Sequence, residues 1–314
     1  MLNRREFLKI ILAGGTLATF NGMPLKVLGK NSLSKKELTK ITILHTNDTH
    51  SHIDPFPPDD PKYPNMGGFA RRAKIIKDIR NKEKNVLLLD AGDVFQGSPY
   101  FNFYKGEVEY KLMSDMGYDA STIGNHEFDN GVESIAKQLQ FANFPLINSN
   151  YDFSDTPLKG KIQPFKIFIL DEVKIGVFGL GIELKGLVLD WAYGNTKYLD
   201  PLAKAAEMAY LLKHDFKCNL IICLSHLGFS YQTKKVSDVV LAKQSKNIDI
   251  IIGGHSHTFL DKPVVFRNSD NKEIIIAQVG WGGVKLGKID LYFKKGNKLK
   301  FAAANTINIL NNQV

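Results

Sequence analysis

The chain has 314 residues, of which 44% are apolar and 23% are charged. This composition excludes an intrinsically disordered protein and is sufficient for a large buried core. The formal net charge is +9, but residues 1–30 contribute +4, and further basic residues are scattered over helices such as residues 71–84, "RRAKIIKDIRNKEK". Nucleic-acid binding needs clustered positive charge, so we expect a solvated helix face there and no nucleic-acid partner.

Residues 1–30 are predicted to be an export signal that takes no part in the core. Arg4 and Arg5 precede an apolar stretch of modest hydrophobicity at residues 10–20, a pattern that resembles a twin-arginine signal. The stretch is too short to remain in a membrane as a stable span. A basic amphipathic helix is the alternative interpretation, and no Ala-x-Ala cleavage site is evident.

The remaining chain is predicted to be a short linker, residues 31–39, and a single domain, residues 40–314. No Pro/Ser-rich linker or charge run divides it after about residue 40. An export signal places this domain in a bacterial periplasm, without a stable membrane span once the signal is processed. A signal that stays uncleaved would tether the protein to the membrane.

Strands and helices alternate along the domain. Apolar, β-rich runs predict strands in "KITILHTND", "NVLLLDAGD", "DASTIGNHE", "FPLINSN", "NLIICLSH" and "IDIIIGGHSH". Helical periodicity predicts helices in "GGFARRAKIIKDIRNK", "EVEYKLMSDMG" and "VESIAKQLQ", at residues 201–214 and near residues 234–246. Hairpins are predicted in "PFKIFILDEVKIGVFGLG", "PVVFRNSDNKEIIIAQVG" and "KLGKIDLYFKKGNKLKFAAA". We therefore predict an α/β fold in which helices cover a pair of mixed sheets.

The two cysteines, Cys218 and Cys223, lie five residues apart in or beside one predicted strand. Side chains alternate between the faces of a strand, so this spacing predicts that the two thiols point to opposite faces. A disulfide bond between them is not expected.

Polar residues follow directly on the apolar strands. In chain order these residues are Asp48, His50, Asp93, Asn125, His126, His226, His255 and His257. In α/β folds ligands bind outside the carboxyl ends of the strands, so we expect these side chains to form a site. Gly92 allows a tight turn beside the residue that ends the strand "VLLLDAG".

The side chains in this set are typical ligands of divalent Zn, Mn or Fe. Seven ligands, all of the set except His126, exceed the three or four that one ion takes from a protein, so two ions are predicted. Asp93 is the candidate bridge because it lies between the other strand ends in chain order. His255 and His257 are two residues apart, and on extended backbone both would face the same side and could reach neighbouring ions.

The motifs "TNDTHSH", "GDVFQGSP", "GNHEFD", "SHLG" and "GGHSHT", in this order, resemble those of the calcineurin-like metallophosphoesterases. The match is closest to the branch of secreted 5′-nucleotidases and UDP-sugar hydrolases, and it covers roughly residues 40–305. The resemblance implies a four-layer α/β/β/α sandwich. It also implies hydrolysis of a small phosphate ester, most specifically a nucleotide, by in-line attack of a hydroxide that bridges the two metal ions.

The same resemblance implies a role for each residue of the site. The first ion would be held by Asp48, His50, Asp93 and His257, and the second by Asp93, Asn125, His226 and His255. His126 and Asp129 would form a catalytic dyad in which the histidine donates a proton or hydrogen bond and the aspartate orients it. Asn125, His126 and Trp281 would contact the substrate. Trp191 and Tyr193 either stack on a substrate or close over the core.

Other functions remain open at this point. A thiosulfohydrolase of the sulfur-oxidising branch, a cyclic-nucleotide phosphodiesterase and a non-catalytic subunit of a nucleotidase complex are the alternatives. Two-domain nucleotidases bind the nucleobase in a carboxyl-terminal domain, for which the sequence has no segment. Base recognition would then come from a separate protein, from local loops or not at all, and we expect a separate protein with such a domain as a partner.

Overall fold

The computed structural model describes residues 38–294 and 298–310. The predicted export signal and most of the predicted linker lie outside these residues. The strands are β1 (Leu38–Thr46), β2 (Val86–Asp90), β3 (Ala120–Ser121), β4 (Tyr151–Asp152), β5 (Phe165–Leu170), β6 (Val173–Leu180), β7 (Lys197–Tyr198), β8 (Leu220–Ser225), β9 (Ile250–Gly253), β10 (Val264–Arg267), β11 (Glu273–Ala277), β12 (Lys285–Lys294) and β13 (Lys298–Asn308).

The α-helices of the described residues are short, and most are less than three turns long. They are α1 (Phe69–Lys82), α2 (Pro99–Tyr104), α3 (Glu107–Met116), α4 (Val132–Gln138), α5 (Asp190–Tyr193), α6 (Pro201–Tyr210) and α7 (Asp238–Gln244). In the part of the chain that the structure describes, none of these helices combines the length and apolar character needed to cross a membrane.

Two mixed sheets form the centre of the molecule. The first has the strand order β13-β12-β1-β2-β3, and the second has the order β10-β11-β9-β8-β6-β5. Strands β1, β2 and β3 run parallel in the first sheet, and β6, β8, β9 and β11 run parallel in the second. Strands β12 and β13 in the first sheet, and β5 and β10 in the second, join by antiparallel pairing, so both sheets are mixed as predicted.

The sheets pack face to face through a cluster of buried aliphatic side chains. Ile43 and Leu89 of the first sheet belong to the same cluster as Val177 and Ile222 of the second. Two further clusters join helices α1, α3 and α4 to the first sheet and helices α6 and α7 to the second. Each fully buried aliphatic side chain contributes roughly 1.5–3 kcal/mol. The predicted α/β class is confirmed.

The predicted hairpin between β5 and β6 is confirmed at its turn. Asp171 and Glu172 both adopt positive φ angles, 44° and 70°, as the central residues of a two-residue type I′ turn do. Other boundaries differ. The predicted strand "DASTIGNHE" is reduced to the two residues of β3, "FPLINSN" makes only isolated bridges, and the helix expected from about residue 234 begins at Asp238.

The expected solvated face of α1 is wrong at one position. Arg72 is 1% exposed, and its guanidinium carbon lies 4.1 Å from the centroid of the Phe69 ring. Phe69, Arg72 and Ile76 follow the spacing of a single helix face, and that face packs on the first sheet. The position in the helical period decided the burial, despite the charge.

The prediction that Cys218 and Cys223 form no disulfide bond is correct, but the prediction that they point to opposite faces of the sheet is wrong. Both cysteines are free and buried, but they belong to one cluster on the helix-facing side of the second sheet. Cys218 precedes β8, so strand alternation does not extend to it.

Candidate metal centre

All seven predicted ligands lie in loops that follow the carboxyl ends of parallel strands. The strands and their residues are β1 with Asp48 and His50, β2 with Asp93, β3 with Asn125, β8 with His226, and β9 with His255 and His257. Because the two sheets face each other, these loops converge at one end of the molecule. Within the described residues, three groups of side chains could hold a metal ion: Asp48, His50 and His257; His50, Asp93 and His126; and Asp93, His226 and His255.

Asp48, His50 and His257 form what we call the first ligand group. The Nε2 atoms of His50 and His257 lie 3.8 and 3.5 Å from Oδ1 of Asp48. The two Nε2 atoms are 2.9 Å apart. These separations are those of donor atoms that point at a common centre.

Asn125, His226 and His255 form the second ligand group. Nδ1 of His255 lies 2.9 Å from Oδ1 of Asn125. Oδ2 of Asp93 lies 3.0 Å from Nε2 of His226 and 3.9 Å from Nε2 of His50. Asp93 therefore borders both groups, which is the position that a bridging carboxylate requires.

The hydrogen bonds of the imidazole rings test whether this donor set fits a cation. Nδ1 of His226 donates to the Ala91 carbonyl at 2.7 Å, and Nδ1 of His50 donates to the Phe95 carbonyl at 3.1 Å. In each neutral ring Nε2 then carries a lone pair that faces another ligand atom. Such lone pairs repel each other at these distances unless a proton or a cation lies between them, so the residues fit a divalent ion.

The pKa shifts agree with this interpretation. Burial alone would lower the pKa of His226, but the Asp93 carboxylate outweighs it and raises the pKa to about 10. Burial would raise the pKa of Asp93, and the charge of His226 outweighs it and lowers that pKa. Burial lowers the pKa of His50 to about 4 and that of His255 to about 3, so both rings stay neutral, as ligands must be.

The backbone of the ligand loops is strained. The φ angles of Asp48, His50, Asp93, His255 and His257 are 48°, 44°, 55°, 71° and 51°, in the left-handed region that residues with a side chain rarely adopt. Backbone N–H groups of the first two residues donate to the loop after β2, which holds the two loops together. Backbone of this kind is common at functional sites, which supports a functional role for these loops.

The expected extended backbone between His255 and His257 is therefore wrong. Both residues lie in a bend after β9 with positive φ angles. The bend sends the two rings to different groups, because His257 approaches Asp48 whereas His255 approaches Asn125.

Two motif glycines are required by close packing at the site. Gly92 has a φ angle of 87°, and a Cβ on it would lie 2.7 Å from the Gly124 nitrogen. A Cβ on Gly124 would lie 2.2 Å from Oδ1 of Asp93 and 2.7 Å from Nε2 of His226. A side chain at either position would displace ligand atoms.

His126 and Asp129, the two residues of the predicted dyad, contact each other beside Asp93. Nδ1 of His126 lies 2.9 Å from Oδ2 of Asp129, and the His126 backbone N–H donates to Oδ1 of Asp93 at 2.9 Å. Burial lowers the pKa of His126, but the hydrogen bond to Asp129 and the charges of Asp93, Asp129 and Glu127 together outweigh burial and raise the pKa. A ring nitrogen of His126 lies within 4.8 Å of the ligand atoms of His50 and Asp93.

Glu127 is a residue of the site that the sequence analysis missed. It is 2% exposed, and its carboxylate accepts hydrogen bonds from the backbone N–H groups of Asp93, Val94 and Gly124 at 3.0, 2.7 and 2.6 Å. Burial and the nearby Asp93 charge raise its pKa to about 7. An acid inside "GNHEFD", between the dyad partners, was the available signal.

Asn47 was also missed, although it precedes a predicted ligand. Its Nδ2 donates to Oδ2 of Asp48 and to the Gly280 carbonyl, both at 2.6 Å. Its Oδ1 accepts from the backbone N–H of Val279 at 2.9 Å. Asn47 thereby ties the Asp48 carboxylate to the loop after β11.

Trp281, in the loop after β11, reaches the site as predicted. Its ring stacks on His257 with centroids 5.7 Å apart and planes at 12°. It also meets His50 and His52 edge-on, with centroids 6.4 and 5.1 Å away. Trp281 covers one side of the first ligand group.

Comparison with known proteins is consistent with this geometry. Residues 41–259 match the family model of the calcineurin-like phosphoesterases. The chain is 34% identical over 282 residues to a snake venom 5′-nucleotidase of Crotalus adamanteus and 34% identical over 281 residues to a 5′-nucleotidase of Bos taurus. These alignments cover 83% and 82% of this chain.

A solved structure is similar over the same region. The 5′-nucleotidase precursor from Thermus thermophilus superposes with a TM-score of 0.78 at 30% identity, over 88% of this chain and 56% of that chain. This chain spans about half the length of the two curated relatives, 47% in each case.

Proposed function

Because this chain belongs to the calcineurin-like phosphoesterase family, we propose that it is a hydrolase of phosphate esters, with nucleotides as substrates and two divalent cations at its centre. The observation that carries this proposal is the position of Asp93. It borders both ligand groups and accepts a hydrogen bond from the backbone of His126.

The residues that would hold the cations are divided between the two groups. Asp48, His50, Asp93 and His257 would hold one ion, and Asp93, Asn125, His226 and His255 the other. When bound, the ions lower the pKa of a water molecule and polarise phosphoryl oxygens. The donor atoms are carboxylate oxygens, an amide oxygen and imidazole nitrogens, a set that suits Zn, Mn or Fe.

The charge of the site favours an anionic substrate. Asp48 and Asp93 are the only acids among the seven proposed ligands, and Asn125 and the four histidines are neutral when they bind a cation. A pair of divalent ions would leave about two positive charges for a phosphoryl group. A carboxylate in place of Asn125 would reduce that attraction.

His126 and Asp129 supply the proton chemistry in this proposal. His126 donates a proton or a hydrogen bond to the leaving oxygen, and Asp129 holds the Nδ1 proton so that Nε2 is presented to the substrate. The raised pKa of His126 favours its protonated, donating form. Glu127 keeps Asp93 in place through the surrounding backbone.

The nucleotide substrate is supported by the relatives named as 5′-nucleotidases. Since the chain spans about half of their length, this specificity is part of the proposal. We propose that a monoester of a nucleoside is cleaved, with Asn125, His126 and Trp281 in contact with it.

The test is hydrolysis by metal-loaded protein of nucleoside monophosphates, UDP-glucose, cyclic nucleotides and bis(p-nitrophenyl) phosphate. We expect release of phosphate from monophosphates and little turnover of the diesters. The variant His126→Asn should lower kcat by about 100- to 10,000-fold, the usual share of general acid catalysis, while the bound metal content stays unchanged. An unchanged kcat in His126→Asn, or absence of turnover with every phosphate ester, contradicts the proposal.

We also propose export through the twin-arginine route, on the basis of Arg4 and Arg5. Fractionation of bacteria that express the full chain should place the protein outside the cytoplasm. The double substitution Arg4→Lys and Arg5→Lys should retain it in the cytoplasm, and equal distribution of the two proteins would contradict this route.

A further inference from the structure

In the described residues, the loops after β6 and β11 are the two at this end of the parallel strands that carry no proposed metal ligand, and the loop after β11 carries Trp281. The loop after β6 contains α5 and carries three exposed large apolar side chains, Leu187, Leu189 and Trp191. The indole of Trp191 is 64% exposed. Single exposed apolar residues are ordinary in folded proteins. Three within five residues, at the end of the sheet where ligands bind, indicate that a ligand contacts this loop.

This loop is held in place by buried residues beneath the exposed ones. Leu184, Val188 and Ala192 are at most 9% exposed and belong to the same apolar cluster as Phe128. Phe128 lies between His126 and Asp129 in the turn that carries the dyad. The loop that carries Trp191 therefore packs on the same buried cluster as the turn that carries the dyad.

Trp191 lies directly beside the dyad segment. A Cβ placed on Gly131 would be 3.3 Å from Cζ3 of the indole. Gly131 is two residues after Asp129, and two residues span at most about 7 Å. The absence of a side chain at position 131 lets the indole approach this segment closely.

The proposed role of the dyad predicts which part of a substrate lies near Trp191. His126 acts on the leaving oxygen in the proposed mechanism, so the organic group attached to that oxygen extends from the dyad. The other tryptophan is placed differently, because Trp281 stacks on His257 at the first ligand group. Tyr193 is held by a hydrogen bond from its hydroxyl to Oδ1 of Asp190.

We propose that Trp191 provides an aromatic binding site for the nucleobase of the substrate, within this chain. The inference rests on the proposed function, since it assigns the organic group of the phosphate ester. Stacking needs only a flat π face and tolerates different bases, so this site would select nucleotides over sugar phosphates without selecting one base.

The kinetic test compares two substrates that differ only by the base, adenosine 5′-monophosphate and ribose 5-phosphate. Base stacking on an aromatic residue is worth roughly 1–3 kcal/mol, and we expect the lower end of that range for this open site. Trp191→Ala should therefore raise KM for the nucleotide about tenfold and leave KM for ribose 5-phosphate unchanged. Trp191→Phe should retain most of the nucleotide affinity.

The matched control is Tyr210→Ala, which removes an aromatic side chain of similar exposure, 60%, from α6. It should change neither KM. Equal increases of both KM values in Trp191→Ala would show that the indole only supports the loop. No change for either substrate would show that the base binds elsewhere, on a separate protein or not at all. Either result overturns the inference.

A second measurement does not depend on turnover. The chain contains two tryptophans, so Trp281→Phe leaves Trp191 as the only indole fluorophore. Adenosine should quench this fluorescence in metal-free protein, and ribose should not. Quenching that persists in Trp191→Phe and is absent in Trp281→Phe would assign the base to Trp281 and overturn the inference. If no phosphate ester is hydrolysed, the proposed function fails, while this measurement still decides whether Trp191 stacks.

Discussion

The first and second ligand groups both border Asp93, but they differ in their access to water. The side chain of His257, in the first group, is 42% exposed, whereas the side chain of His226, in the second, is fully buried. A buried donor that loses its partner cannot be solvated, so its loss is costly. An exposed donor can be replaced by water. The two groups should therefore respond differently to the loss of one ligand.

The largest effect is expected from Asp93→Asn, because this residue is shared by both groups. The substitution removes a negative charge and leaves Nε2 of His226 beside an amide. Activity should fall by more than the 10- to 100-fold that is typical when a residue hydrogen-bonded to a metal ligand is replaced. Elemental analysis should find that both ions are lost. The control is Asp261→Asn, a carboxylate that is 87% exposed and pairs with Lys285. Retention of one tightly bound ion in Asp93→Asn would contradict a shared role.

The second prediction compares His226→Ala with His257→Ala. Removal of His226 leaves the buried Asp93 carboxylate without its 3.0 Å neighbour, so metal affinity should fall strongly in one of two sites. Removal of His257 opens a position that water can fill, so the fall should be smaller. Isothermal titration calorimetry of the two metal-free variants with Zn or Mn measures both metal affinities. Equal losses of affinity would remove the distinction between the groups.

Glu127→Gln should have an intermediate effect. The amide retains one acceptor oxygen. Its NH₂ group, however, would face one of the backbone N–H groups that now donate hydrogen bonds to the carboxylate. We expect metal affinity to fall about 10-fold, at the low end for a residue that positions a ligand. The matched control is Glu133→Gln, a carboxylate in the first turn of α4. An affinity equal to that of the unsubstituted protein would show that Glu127 is not needed to position Asp93.

The smallest expected effect is on thermal stability. A metal concentration 100 times the dissociation constant should stabilise the fold by about 2.7 kcal/mol, which corresponds to a rise in Tm of several degrees. Chelation should reverse the rise. His257→Ala should keep most of it, and His226→Ala should lose a large part. Scanning calorimetry with and without EDTA tests this, and an unchanged Tm on chelation would exclude a cation bound to the folded state.

The sequence predicted that the candidate ligands lie together because its motifs place polar residues directly after apolar strands. It predicted their backbone poorly. His255 and His257 reach different groups through left-handed φ angles, which strand alternation does not describe. Glu127 was missed because it contacts backbone N–H groups from another loop, and the motif gives no sign of that contact. Arg72 was placed in solvent because charge was given more weight than its position in the helix.

Local rules of periodicity and strand-end polarity were sufficient to determine the α/β class, the β5–β6 turn and the identity of the candidate ligands. Those rules act between residues that are near in sequence. The pairing of His226 with Asp93 and the approach of Trp191 to Gly131 join residues that are 133 and 60 positions apart. Such contacts depend on how two sheets pack and where their loops meet, so only the tertiary structure decided them.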